Sequence, residues 1–590
     1  MRIIIFLWLW CGWSAFAQTS DQLADFQHAQ TQTVLLNNQT QVLPFKDLNS
    51  LKIASLHRDT APMATFDSIA AYYWDIKPVR LPQVLSDSAL FALHDELKLF
   101  NTLLVEISDN TNIDSRFIEF LKNQPRQVIL IASGRALTDL DGLSCPIIWN
   151  LKQTPEAASI AAQIIFGGVG ASGKLETTYS PHYKKGSGFI TSKIRLGYSL
   201  PEAVAMSGKR LRAIDSLVNA GIALHATPGA VVLIAREGQV IFHRAYGKHT
   251  YEGEEQTRLD DIFDMASVTK VSATTPGIMR LYDQKKVELD APISRYIART
   301  RLIPDKADIL VKEALLHEAG YTPYIKFYEQ LRPLDLSGDS SAAYPTKVAD
   351  QYYLRANFFS EVMWPVTLQS PVTTRGKYVY SDLSMYMMKE VIETATQQSL
   401  DQYVLESLYR PLGMRFTGYL PRNRFAKARI VPTTQNDNWF RNRLLQGYVN
   451  DPGAAMAGGV EGHAGLFSTA NDMAILYQTY LNKGTYGGVT YFEPTTIELF
   501  TARQSRSNAE RGYGFDKTKP TGDAIKKYAS ERAYGHGGYT GTYVWVDPKY
   551  KLVYICLTNW VYPDDGKTYK KTLNLRPRIL NIAYEAIQNK

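Results

Sequence analysis

Two hairpin signals, far apart along the chain, constrain its fold most. Ala230–Ala235 is turned by Arg236-Glu237-Gly238 into Gln239–Tyr246, and Gly541–Asp547 is turned by Pro548–Lys551 into Leu552–Leu557. Each pair sets β-branched and aromatic residues about a short polar turn, which is the reading of antiparallel strands. Helical material fills the span between them, so both ends of this region meet in one sheet with helices around it. That is an α/β arrangement of high contact order.

Upstream the pattern is different. From about residue 30 to 200, short runs at Lys52–Leu56, Thr102–Ile107, Gln127–Ala132 and Pro146–Asn150 alternate with helical stretches such as Ser115–Lys122 and Glu156–Phe166. Alternation of this kind implies an α/β layered domain with a mostly parallel sheet. It breaks around Leu200–Ser207, and a helix over Gly208–Leu224 opens the second unit. A chain of 590 residues exceeds what one core usually organises, in agreement with two domains.

The first residues read as a leader for export: Arg2, the apolar run Ile3–Trp13, then Ala15-Phe16-Ala17 as a small-x-small cleavage site. The run is too short to span a bilayer, and Trp10 and Gly12 around Cys11 fit a lipoprotein site poorly. A signal peptide over residues 1–17 predicts a periplasmic or secreted protein with no transmembrane segment after cleavage. Cys145 and Cys556 fall in different units and lack Cys or His neighbours at ligand spacing, so neither a disulfide framework nor a metal site is expected. The net charge of +8 is spread along the chain. With no basic helix or stacking motif it gives no footprint for nucleic acid.

Three segments carry chemistry. Phe263-Asp264-Met265-Ala266-Ser267-Val268-Thr269-Lys270 enters a helical stretch, so Ser267 and Lys270 share one face at i and i+3. A lysine whose pKa is lowered by desolvation or nearby cations can take the serine's proton. Tyr380-Ser381-Asp382 precedes a helix over Leu383–Glu393; Tyr380 is a candidate for general acid–base work, while Asp382 also suits a plain N-cap. Gly535-His536-Gly537-Gly538-Tyr539-Thr540-Gly541 precedes the last hairpin, where glycines let a strand edge approach a substrate. Each segment alone is a weak signal.

Their order resembles the serine β-lactamase and penicillin-binding-protein superfamily, in its class C, esterase and D-aminopeptidase branch, over residues 205–590. Leu315–Gly320, Gly462–Thr469 and Leu557-Thr558-Asn559 add to the likeness. The resemblance implies an antiparallel sheet flanked by helices plus an all-helical subdomain. It makes Ser267 the acyl-accepting nucleophile, Lys270 its general base and Tyr380 a proton shuttle, with no cofactor. Asp382, His536, Gly537, Gly538 and Tyr539 line the substrate and oxyanion side, the oxyanion donors being the N–H groups of Ser267 and Tyr539. Two departures stand out: Asp382 where many β-lactamases have Asn, and His536 where they have Lys. A histidine is cationic only part of the time near neutral pH, so it is a poor grip for a substrate carboxylate.

Residues 25–200 resemble the C-terminal α/β domain of family 3 glycoside hydrolases, through Val34–Asn38 with Val42-Leu43-Pro44 and through Ala161–Gly168 with Gly173-Lys174-Leu175. The family's catalytic barrel has almost no room before Val34, so an accessory domain without glycosidase activity is expected. Together these readings imply an exported serine hydrolase cleaving an ester or amide in a small-molecule or peptide substrate, with peptidoglycan peptides and muropeptides foremost. A carboxylesterase, a β-lactamase or a non-catalytic cell-envelope binding module are the alternatives. His317 and His463 are expected as structural hydrogen-bonding groups, Pro276 should kink or break its helix, and part of Tyr321–Thr374 should wall the pocket.

Overall fold

The computed structural model describes residues 20–588 except positions 59, 83, 85, 109–114, 135–136, 438–439, 520–525 and 565–572. The leader over residues 1–17 lies outside the described residues.

Burial on both faces of consecutive strands forces the first layer. Thr102–Ile107 is buried at every position, so helices must cover both sides of it. The sheet runs Val34–Leu36, Ile147–Asn150, Gln127–Ser133, Thr102–Ile107, Ile53–His57, Ile76–Arg80 in spatial order. All neighbours are parallel except Val34–Leu36, which pairs antiparallel with Ile147–Trp149 at one edge. Helices Ala61–Ala70 and Pro155–Phe166 cover one face, while Asp87–Glu96 and Ser115–Lys122 place Leu93, Phe117 and Leu121 on the other. The expected strands stand within a residue or two of their predicted ends. Ile76–Arg80 was not foreseen: it is a half-exposed edge strand interrupted by Pro78, a residue tolerated at a sheet edge.

The second sheet has seven strands in the order Asp516–Lys517, Tyr534–Gly537, Tyr543–Asp547, Leu552–Thr558, Gly229–Arg236, Gln239–Gly247, Gly197–Tyr198. Its pairs are antiparallel except the last, Gly197–Tyr198 beside Gln239–Val240. Both foreseen hairpins are present and meet where Leu552–Thr558 pairs with Ala230–Arg236, as the chain ends required. Helices Ala213–Ala223 and Leu575–Glu585 cover one face; Ala470–Leu481 packs on the other. The region between the sheet's two ends is not purely helical. Leu336–Ser337, Thr346–Ala349 and Tyr352–Leu354 form a small antiparallel sheet inside it.

The two layers share one hydrophobic core. Leu35, Phe66 and Ile165 of the first belong to the same buried cluster as Ile262, Met385 and Leu476 of the second. Every residue from Ala470 to Tyr480 is buried, so this helix has no solvent face. At the junction the Tyr198 hydroxyl donates to Asn471 Oδ1 at 2.7 Å, and Asn471 Nδ2 donates to the Tyr72 carbonyl at 3.2 Å. Tyr72 stacks on Tyr198 with ring centroids 4.5 Å apart.

Two outcomes follow from a shared core. Urea unfolding followed by tryptophan fluorescence and by far-UV circular dichroism should give one coincident transition, not two. Asn471→Ala should lower stability by about 1–3 kcal/mol, because it strands the buried Tyr198 hydroxyl and Tyr72 carbonyl.

Candidate active site

The turn that carries Ser267 is built from a strained backbone held at both ends. Ala266 has φ of +45°, a left-handed conformation that costs a residue with a Cβ about 1–2 kcal/mol. The Asp264 carboxylate sustains it by accepting the Ala266 N–H at 2.8 Å and the Asn450 N–H at 2.6 Å. Burial pushes the Asp264 carboxyl up to about 6. From the far side, the Thr540 hydroxyl donates to the Asp264 carbonyl at 2.7 Å and the Thr542 hydroxyl to the Met265 carbonyl at 2.9 Å. The glycine-rich segment is thereby fastened to the residues just before Ser267.

The helix expected through Ser267 and Lys270 is not a regular α-helix. Ala266–Val268 is a 3-10 turn, Lys270–Thr274 a π turn, and the α-helix begins only at Thr275. Pro276 is the cause, since it has no N–H to give the Ser272 carbonyl. That carbonyl instead accepts the Tyr409 hydroxyl at 2.8 Å. Tight winding before Lys270 still brings the expected pair together: Lys270 Nζ lies 3.0 Å from Ser267 Oγ.

Lys270 is fully buried and has three acceptors. Besides Ser267 Oγ they are the His463 carbonyl at 3.3 Å, a hydrogen bond, and Asp382 Oδ1 at 2.8 Å, an ion-pair contact. The Tyr380 ring lies against the ammonium, with Nζ 4.9 Å from the centroid. Burial alone would depress the Lys270 pKa, but Asp382 and Tyr380 outweigh it and hold it above its ordinary value. The expected lowering of the Lys270 pKa is not found, because a carboxylate rather than a second cation stands beside the amine. Asp382 precedes helix Leu383–Thr396 yet makes no side-chain cap bond. Its carboxylate serves Lys270 instead.

His536 reaches the same place from the strand edge, 6.1 Å from the Tyr380 ring. It is buried, and burial with help from Arg511 and Lys270 pushes its pKa down to about 4, against the opposing pull of Asp516. His536 is thus neutral at physiological pH rather than partly cationic. Gly538 is required by contact: a Cβ there would stand 2.6 Å from the Met265 carbonyl and 2.1 Å from Thr542 Oγ1. Gly537 precedes it at the end of the strand, and Tyr539 follows, half exposed at the mouth.

Histidines 317 and 463 do make structural bonds, but both belong to the site's wall. His317 Nδ1 accepts the Ser381 N–H at 3.2 Å, and its ring centroid lies 4.5 Å from that of Tyr380. Burial, with Arg511, Lys270 and His536 near, keeps it neutral. His463 Nε2 bonds Asp451 Oδ1 at 2.8 Å. Asp451 went unnoticed in the sequence, where Asp-Pro reads as a helix start; it does cap Pro452–Met456 while also facing His463. Asp382, Asp451 and His463 converge closely enough to suggest cation ligands, but Lys270 already supplies positive charge to Asp382. Arg511, paired with Asp516 beneath Tyr378, was also missed; nothing in its local sequence marks it. Of the long Tyr321–Thr374 stretch, the first residues brace the segment around Asp382: the Thr322 carbonyl accepts the Ser381 hydroxyl at 2.7 Å and the Pro323 carbonyl the Asp382 N–H at 2.9 Å.

With this geometry in hand, comparison with known proteins assigns the class. A family model described as Beta-lactamase matches residues 214–576. An N-acetylmuramyl-L-alanine amidase of Bacillus subtilis strain 168 is 34% identical over 391 residues, 61% of this chain and 82% of the relative. A protein of Escherichia coli strain K12, provisionally named a D-alanyl-D-alanine carboxypeptidase, is 30% identical over 392 residues, 61% of this chain and 85% of the relative. A solved penicillin-binding-protein homologue from Caulobacter crescentus is 18% identical, with a TM-score of 0.47 over 65% of this chain and 98% of that one. The chain belongs to the beta-lactamase family, and so to the serine hydrolases. Among the described residues no helix is long and apolar enough to cross a membrane.

Gly538→Ala should slow covalent labelling of the site by a fluorophosphonate about 100-fold, because the added carbon displaces the nucleophile turn from its attacking position. Rates followed by intact mass, with circular dichroism as a check on folding, measure this.

Proposed function

We propose that this chain is an exported hydrolase that cleaves an amide of peptidoglycan-derived muropeptides through an acyl-enzyme on Ser267. The observation that carries the reading is the buried contact of Ser267 Oγ with Lys270 Nζ, backed by Asp382. The bond and substrate class rest on the 34% identity to the Bacillus subtilis amidase, and export rests on the leader sequence. In this scheme Ser267 attacks the carbonyl and Lys270 receives its proton; Tyr380 gives its proton to the departing amine and regains one from Lys270, and water then attacks the acyl-enzyme, releasing the acid and restoring the Ser267 hydroxyl. The N–H groups of Ser267 and Tyr539 hold the oxyanion, with Gly537 and Gly538 leaving the edge open to the substrate. Residues 25–200 act as an accessory domain, of the type found after the barrel in family 3 glycoside hydrolases, that buttresses the hydrolase without its own glycosidase chemistry.

The resting charge state sets a condition on this chemistry. Lys270 must lose a proton before it can accept one from Ser267, and Asp382 opposes that loss. Activity limited by this step rises with pH as the amine forms. Asp382→Asn removes the opposing charge, so the rising limb of kcat/KM should move to lower pH by about 1–3 units. An unmoved limb would assign the base to another group.

Intact-mass and peptide mapping after fluorophosphonate treatment, with Ser267→Ala as control, tests the nucleophile. A single adduct on Ser267, together with release of L-alanine from N-acetylmuramoyl-L-alanine that Ser267→Ala abolishes, is the expected result. A long-lived penicillin adduct without that release would favour a D-alanyl peptide substrate. Labelling with turnover of simple esters alone would favour a carboxylesterase, and no adduct on folded protein would favour a binding module.

A further inference from the structure

In the scheme above Lys270 works only after losing a proton, and Asp382, 2.8 Å away, opposes that loss. How strongly it does so depends on what stands behind the carboxylate. His463 meets the amine and the acidic groups with different parts of one residue. Its carbonyl accepts from Lys270 Nζ at 3.3 Å, while its ring Nε2 lies 2.8 Å from Asp451 Oδ1. One oxygen each from Asp382 and Asp451 and one ring nitrogen of His463 all lie within 4.8 Å of one another.

Two carboxylates this close, both largely withdrawn from water, repel each other and call for two cations. Lys270 is one, and His463 is placed to be the other. Burial works against a charged imidazole, but Asp451 and Asp382 outweigh it and hold the His463 pKa above its ordinary value. Nδ1 is buried and has no hydrogen-bond partner among the described residues, so it is unsatisfied with or without its proton and does not decide the charge. The remaining groups that face this ring leave the balance as it is. Tyr386 stacks on it with centroids 4.8 Å apart, and Tyr324 is within electrostatic reach of both carboxylates. Glu461, two residues earlier, adds negative charge that Lys389 shares at 3.4 Å. Lys270 pushes the other way.

That last effect is reciprocal, because groups this close titrate together. A charge on His463 makes a second charge on Lys270 less favourable. The amine then gives its proton to solvent more readily and is free to take the one on the Ser267 hydroxyl.

We propose that His463 is a positioning residue for the general base: lodged as an imidazolium between Asp451 and Asp382, it offsets the carboxylate charge that would otherwise keep the proton on Lys270. This rests on the Ser267–Lys270 reading above. Its help runs opposite in pH to the freeing of the base. While His463 is charged the help is fully present, and it is lost as pH rises through the His463 titration, even though more of Lys270 is free by then.

His463→Gln keeps a donor for Asp451 and cannot carry charge. Labelling of Ser267 by a fluorophosphonate, followed by intact mass, should be about 10-fold or more slower in this variant than in the parent at about pH 6, and the gap should close as pH rises through the His463 titration. That titration is read in the parent by nitrogen-15 NMR of the histidine rings, where His463 should be an imidazolium at about pH 6 and should lose its proton at lower pH in Asp451→Asn. A gap of the same size at every pH would make His463 a structural prop and overturn the inference, as would no gap, or a neutral His463 at about pH 6. Absence of labelling on Ser267 in the parent would instead overturn the nucleophile reading itself.

Discussion

Burying one ammonium beside Ser267 is the constraint on which the rest of the site depends. A cation removed from water costs several kcal/mol unless matched, and stripping one partner from such a pair typically costs 3–5 kcal/mol. Lys270 is matched by Asp382, by a main-chain carbonyl from the segment around His463 and by Ser267 itself. Each of those acceptors comes from a different part of the chain. The charge therefore acts as a tie point: the turn at 263–270, the loop before helix Leu383–Thr396 and the Gly462–Thr469 segment must all converge on it. Asp382 stands before helix Leu383–Thr396 without making a side-chain cap bond, and its carboxylate faces Lys270.

The same convergence explains the irregular backbone. Ala266 in the left-handed region and the π turn at Lys270–Thr274 are each unfavourable taken alone, and each has dedicated partners. Asp264 spends both carboxylate oxygens on N–H groups of the turn and of Asn450, while Tyr409 repairs the acceptor left by Pro276. Strain held by buried hydrogen bonds fixes where Ser267 Oγ can be, and so serves pre-organisation.

Legibility in the sequence followed the range of the interactions. Hairpins and parallel strands came through because burial pattern and turn residues are local: Thr102–Ile107 and Ser115–Lys122 stand where predicted. Ile76–Arg80 escaped notice because an edge strand with Pro78 has neither a continuous apolar run nor strict alternation. Ser267, Lys270, Tyr380, Asp382 and His536 were legible as a spaced set, and the fold does gather them. Their charge states were not, since the Lys270 shift depends on a residue more than a hundred positions away, and His536 is kept neutral chiefly by its depth, with distant Arg511 and Lys270 adding to it. Arg511 carries no local mark at all, and Asp451 only that of a helix start. Their meaning comes only from what tertiary packing places beside them.

Fusion to the first layer adds a mechanical argument. Helix Ala470–Leu481 rests on the strands Leu552–Thr558 and Gly229–Arg236, and its outer side is buried at the junction through Asn471. Those strands pair on toward Tyr543–Asp547 and Tyr534–Gly537, the strand that carries His536 and Gly537. A sheet is stiff along its hydrogen-bonded ladder, and a close-packed core transmits displacement rather than absorbing it. Loss of the first layer would expose a helix that is buried at every position from Ala470 to Tyr480. The first layer therefore backs, through this helix, the sheet whose edge carries His536 and Gly537.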